Sequence, residues 1–181
     1  MATVKIYRAE VDLENYRTQA MATLKFFRPK IKRPHNISMK IDSGSSITLL
    51  RDLTIQGLGV EVHAIGKKTE ATATNGAKFI VQQVQLMGAL EFGKIRIENP
   101  IVYVTKPKTE LESKIDNARS NLLGFDIISC SANFSISMPA NFKLMTCQFQ
   151  FREDRMKKYC SGINSPVNLV DEVEIEGISL D

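Results

Sequence analysis

Short apolar runs, many alternating with polar residues and each soon interrupted by glycine, proline or asparagine, are the feature that most constrains this chain. Val4, Ile6 and Arg8 alternate with Lys5, Tyr7 and Ala9, and residues 22–27 and 37–41 read as further strands. Pro29 and Pro34 break the connection between those two. Residues 10–20 are polar, which predicts a loop or a short helix. Strands are expected next at 47–50 and 60–65, then at 69–74 and 77–87 flanking Asn75-Gly76. Asn-Gly between strand-like arms is a strong hairpin signal, because both residues tolerate positive φ. A further pair is expected at 94–97 and 101–105 around Glu98-Asn99-Pro100.

Residues 106–120 change character. Leu111 and Ile115 lie four apart among Glu110, Glu112, Lys114 and Asp116, which predicts a short amphipathic helix or excursion. Late strands are expected at 134–138 and 142–151, with Met145, Cys147, Phe149 and Phe151 on one face. From residue 152 the chain is polar and ends in an acidic stretch at 171–176, expected as a peripheral or partly disordered tail. The reading is one mostly β domain over residues 1–151, with one or two short helices.

Composition narrows the function classes. A hydrophobic share of 43% and a charged share of 24% are those of a globular protein. No run reaches the ~18 apolar residues of a membrane span. The first residues lack a basic segment followed by an apolar one, so the cytosol is the default expectation. Cys130, Cys147 and Cys160 are odd in number and irregularly spaced, with only His35 and His63 to join them. Neither a disulfide framework, a metal nor another cofactor is expected; buried thiols acting as small hydrophobes are. The net charge of +4 is densest at Lys25, Arg28, Lys30, Lys32 and Arg33. Such a run can bind nucleic acid or an anionic membrane, but Phe26-Phe27 is not interleaved with it as a stacking platform would be. It is read as a solvated loop, with neither partner expected.

The chemistry-bearing candidate is Asp42-Ser43-Gly44-Ser45, set between the apolar positions Ile37, Met39 and Ile41 and the run Ile47-Thr48-Leu49-Leu50. Alone it is an ordinary turn sequence. It is followed, in order, by the hairpin around Ala73-Thr74-Asn75-Gly76 and by Leu122-Leu123-Gly124-Phe125-Asp126-Ile127-Ile128. That succession resembles the retropepsin-like aspartic proteases: apolar-apolar-Asp-Thr/Ser-Gly-Ala/Ser, a flap hairpin, then apolar-apolar-Gly-x-Asp. The resemblance covers residues 37–128, about half the chain, with 106–120 as extra length.

The resemblance implies an all-β closed acid-protease barrel and an aspartic endopeptidase acting on peptide or protein substrates. Asp42 would be catalytic, with Ser43, Gly44 and Ser45 supporting it. Ser43 would brace the site across a dimer axis, and the Ser45 hydroxyl would bond an outer Asp42 oxygen. Ala73, Thr74, Asn75 and Gly76 would form the flap tip, and Leu122, Leu123, Gly124 and Asp126 the structural motif. Asp52 and Asp126 lack a following Ser/Thr-Gly, so the second carboxylate would come from Asp42 of a second copy. The Arg–Asp pair of many retroviral members is replaced by Phe125 and Ser46. Leu49, Ile80 and Ile101 are candidate wall residues, and His63 is read as a surface residue. Two other readings stay open: a non-catalytic dimerising or peptide-binding module, and a basic nucleic-acid-binding β domain resting on residues 25–33.

Overall fold

The computed structural model describes residues 4–16, 19–93, 95–137, 145–160, 167–168 and 172–175. The first strands are β1 (Val4–Tyr16), β2 (Gln19–Phe27), β3 (His35–Ile41) and β4 (Leu49–Leu50), followed by helix α1 (Asp52–Leu58). Then come β5 (Val62–Ala64), β6 (Thr69–Thr72), β7 (Lys78–Leu86), β8 (Ala89–Phe92), β9 (Ile95–Glu98) and β10 (Ile101–Thr105). Helix α2 (Glu110–Asn117), β11 (Asn121–Leu123), α3 (Phe125–Ile128), β12 (Ser131–Ser137) and β13 (Met145–Arg152) follow. Helix α4 (Glu153–Cys160), β14 (Val167–Asn168) and β15 (Glu172–Ile175) complete the set. The fold is all-β with few short helices.

The strands pair in the order β12-β13-β1-β2-β3-β11-β4-β10-β7-β5, with β6 on β7 and a branch through β8, β9 and β14. Among the described residues the expected barrel closure is not found, since β12 and β5 do not pair with each other. Their side chains explain why. β12 is exposed at most positions beyond Ser131, and β5 has only three residues, two of them exposed. A three-residue strand offers few backbone groups for further pairing.

Residues 10–16, expected as loop or helix, extend β1 instead. Val11 and Leu13 are buried while Glu10, Asp12 and Glu14 are exposed, a period-2 pattern that β13 stabilises through pairs such as Val11↔Cys147. β9 and β10 both form but do not pair with each other; β9 joins β8 and β14, and β10 joins β7 and β4. Asn99, at φ +46°, donates its N–H to Gly88 O at 2.6 Å and accepts from Gly88 N on Oδ1 at 3.1 Å. That tie turns the chain away from a local hairpin.

Helix α2 is present, capped by Thr109, whose side chain accepts from Glu112 N at 3.1 Å. Its expected apolar face is not the buried one: Leu111 and Ile115 are exposed, and Asp116 is buried. The core lies against β13, where Phe149 and Phe151 stack at 4.9 Å and meet Phe92 edge-on at 6.2 and 6.0 Å. Met145, Cys147, Phe149 and Phe151 are all buried, as their alternation predicts. Residues 138 and 142–144 of the expected late strands, Lys94, and the tail at 161–166, 169–171 and 176–181 lie outside the described residues. Within the expected tail, α4 buries Met156 completely, and the Tyr159 hydroxyl donates to Ile101 O at 2.6 Å.

What positions the site is the placement of β11. It pairs parallel to β3 (Leu122↔Lys40, Leu123↔Ile41) and antiparallel to β4 (Leu122↔Leu49), so it inserts between two strands consecutive in sequence. The loop joining β3 to β4 must therefore pass over its end. Asp42 opens that loop.

Candidate active site

Asp42 is the first residue after β3, and its N–H donates to Leu123 O at 3.0 Å. The turn closes with Ser45 N donating to Asp42 O at 3.1 Å and Gly44 N donating to Asp42 Oδ1 at 3.1 Å. Phe125 N then donates to Ser45 O at 2.7 Å, tying the turn to α3. Ser43 and Gly44 are exposed. The Ser45 hydroxyl does not reach Asp42; it donates to Ile47 O at 2.8 Å. One Asp42 oxygen is already met by the Gly44 N–H, and the other lies 3.7 Å from the Lys40 ammonium. The Asp42 side chain keeps 29% of its surface exposed, so the carboxylate can be reached.

Beneath the turn is a set of contacts that permit no extra atoms. A Cβ at Gly124 would fall 2.1 Å from Ile47 O. Gly124 N donates to Thr48 Oγ1 at 3.1 Å, and that hydroxyl donates to Asp126 Oδ1 at 2.7 Å. Thr48 N donates to Asp126 Oδ2 at 2.9 Å, and Ile127 N donates to Oδ1 at 2.9 Å. Asp126 is thus an anchor for the loop, with its oxygens engaged. Leu123 is fully buried and Leu122 half-buried.

A second polar cluster flanks this one. Buried Arg51 pairs with buried Asp116 at 3.2 Å and donates from Nε to Ser120 O at 3.0 Å. Thr105 donates to Asp116 Oδ2 at 2.5 Å, and Asn121 accepts from Arg51 N at 2.8 Å while donating to Ser38 O at 3.0 Å. Burial lowers the Arg51 pKa, the Asp116 charge and hydrogen bond oppose this, and the Arg119 charge adds to the lowering. Arg51 and Arg119 thus stand close enough to repel.

The hairpin expected around Asn75-Gly76 forms, with register Thr69↔Val81 to Thr72↔Lys78. Its turn differs from the two-residue type that Asn-Gly predicts. Gly76 N donates to Ala73 O at 2.8 Å, Ala73 N to Ala77 O at 2.8 Å, and Gly76 alone of the tip residues takes positive φ, +79°. That is a three-residue loop ending in a glycine bulge. The Asn75 side chain instead accepts from Ala77 N at 3.1 Å. Ala73, Thr74 and Asn75 line a cleft of about 580 Å³ that runs down to Lys40, Arg51, Arg119 and Leu122. The tip and the strand leading into Asp42 therefore share one cleft.

Of the candidate wall residues, Leu49 is fully buried, Ile80 lines a separate pocket with Phe79 and Arg119, and Ile101 lines a small pocket beside Asp126. His63 is exposed, its Nε2 2.5 Å from Glu61 Oε1. Cys130 and Cys147 are buried, and the Cys160 side chain lies outside the described residues. Among the described residues, no three His, Cys, Asp or Glu side chains gather as a metal site, and no helix is long and apolar enough to cross a membrane.

Sequence reasoning missed Lys40, Thr48, Arg51, Thr105, Asp116 and Asn121 as members of the site's framework. Lys40 had a signal: two positions before Asp42 on a strand, it must share that residue's face. Arg51 and Asp116, 65 positions apart, had none.

Comparison with known proteins bears on this arrangement. The aspartyl protease family profile matches residues 30–127, more than half of the chain. The crystal structure of a retropepsin-like aspartic protease from Rickettsia conorii is similar over 81% of this chain and 95% of that one, at 16% identity and a TM-score of 0.44. No curated protein sequence matches.

Proposed function

The chain belongs to the aspartyl protease family, whose profile spans Asp42, the hairpin and Asp126, and from that premise we propose that it is an endopeptidase with a catalytic dyad made of Asp42 from each of two copies. The observation that carries this reading is the setting of Asp42. It opens a turn held by Leu123, Gly44 and Phe125, and its carboxylate remains reachable. Peptide hydrolysis without a covalent intermediate needs a base to activate water and an acid to polarise the scissile carbonyl. Two carboxylates about 3 Å apart do both, because like charges that close share one proton. One chain offers one such aspartate, and a two-fold axis presents the same residue twice.

Ser43, exposed beside Asp42, would reach the partner's backbone across that axis. Gly44 would leave room for substrate over the carboxylates. With its hydroxyl engaged by Ile47, Ser45 would act on the shape of the turn. The tip at Ala73 to Gly76 would close over a bound peptide, exclude water and offer backbone hydrogen bonds. Its place in the cleft above Lys40 supports this. Leu122, Leu123, Gly124 and Asp126 would hold the loop in place from below.

The test is cleavage of a peptide library at mildly acid pH, with the oligomeric state followed by sedimentation. A cleaving dimer, silenced by Asp42→Asn without loss of folding, is the expected result. A dimer that cleaves nothing and binds no pepstatin-like inhibitor, or a strict monomer that cleaves, overturns the proposal.

A further inference from the structure

Lys40 and Asp42 are two apart at the end of β3, and the Lys40 ammonium sits 3.7 Å from the Asp42 carboxylate with a third of its side chain exposed. It borders the cleft under the hairpin tip, together with Arg51 and Arg119. Among the described residues, no aspartate or glutamate lines that cleft. The pocket on the other side of Arg119 is different, lined by Glu70, Glu112 and Asp116 as well as by cations. Positive charge is therefore concentrated on the Asp42 side.

The three cations are not equally committed. Arg51 is buried and paired with Asp116. Arg119 is half-buried, its backbone N–H donates to Asp116 O at 3.0 Å, and its guanidinium pairs with no carboxylate among the described residues. Lys40 pairs only loosely, at 3.7 Å, with a carboxylate that the proposed dyad would occupy with water and substrate. An extended peptide crossing the site sends alternate side chains to one side. The side chain entering this cleft would meet Lys40 first and Arg119 beyond it.

Resting on the peptidase reading, we propose that this cleft is a subsite for an acidic side chain, so that the preferred substrates carry Asp or Glu next to the scissile bond. Arg119 supplies a planar fork of donors suited to a carboxylate, and Lys40 a point charge. Leu122 and the tip residues Thr74 and Asn75 close the remaining walls. Arg51 acts through its position, holding Asp116 and hence the start of the Arg119 segment.

The experiment compares matched peptides that differ only in Glu, Gln or Lys beside the cleaved bond. Glu peptides are expected to be cleaved roughly two- to fivefold faster per charge than Gln peptides, an advantage that shrinks as salt is raised. Arg119→Gln should erase most of it, and Arg119→Glu should turn it toward Lys peptides. Lys32→Glu, the same charge change on an exposed loop outside the cleft, should leave the preference as it was. Equal cleavage of Glu and Gln peptides, or an acidic preference that survives both Arg119 changes, overturns the proposal. Binding separates this from failure of the peptidase reading. Labelled Glu, Gln and Lys peptides are titrated onto Asp42→Asn and onto Asp42→Asn combined with Arg119→Gln. Tighter Glu binding lost in the double variant upholds the subsite even where the wild-type chain cleaves nothing, and equal binding of the three peptides overturns it even where cleavage is robust.

Discussion

At Gly124 a single added methyl group would collide with the Ile47 carbonyl oxygen at 2.1 Å and with Thr48 N at 2.8 Å, both backbone atoms, so the backbone must shift. Gly124→Ala should therefore push β11 away from the loop and break the Thr48–Asp126 bonds. The expected loss is about 1–3 kcal/mol in urea unfolding, with peptide cleavage falling alongside. Asp116 is a stability residue of another kind. Removing it leaves the Arg51 charge buried and unpaired, a loss of about 3–5 kcal/mol; removing Glu110, whose pair with Lys114 is exposed, should cost under about 0.5 kcal/mol. Chemical denaturation of the two alanine variants side by side checks the contrast. Cys147 adds a pH dependence. Burial pushes its thiol up to about 12, above the value near 9 of an unfolded chain. A folded-state pKa raised in this way gives stability that is full below about pH 9 and lost as pH climbs through about 12. The urea midpoint of the wild-type chain should fall more steeply than that of Cys147→Val over this window.

Elements carry their own lesson. The hairpin over β6 and β7 was legible because turn chemistry is local, yet its turn type was not, since Asn75 uses its side chain on Ala77 N and leaves positive φ to Gly76. Gly76→Val should strain the tip, where φ is +79°. Its peptide cleavage should drop severalfold while the melting temperature stays within a few degrees, because the tip is exposed and packs on little. β1 shows the opposite case. Glu10, Asp12 and Glu14 look like a polar loop in isolation, and only the pairing with β13 makes sense of them as the solvent face of a strand. In α2, the apolar spacing of Leu111 and Ile115 marked a helix correctly but not its buried face, because the ion pair with Arg51 turns Asp116 inward.

For the whole molecule, the proposed dyad makes activity a property of the assembly. Specific activity should rise with protein concentration through the range where sedimentation shows dimer forming. Mixing wild-type chain with excess Asp42→Asn should suppress cleavage by trapping wild-type copies in mixed dimers; unchanged turnover after subunit exchange would refute the shared dyad. The edges at β12 and β5 belong to this scale too, since among the described residues the strand order ends there without closing.

Strand content, the place of the hairpin and the turn at Asp42 follow from the sequence by itself, because side-chain periodicity and turn preferences act over a few neighbouring residues. The order of the Asp42 turn, the hairpin and the Gly124 segment was equally readable, and it pointed to the family that the profile match then showed. Only the tertiary structure decided that β11 runs between β3 and β4, that Thr48 is bonded to Asp126 across 78 positions, and that Lys40, Arg119 and the hairpin tip share a cleft. Such contacts depend on which distant surfaces fit without leaving a buried charge or hydrogen-bonding group unmatched. Local preference has no reach over that distance, so Asp42 could be found in the sequence while its surroundings could not.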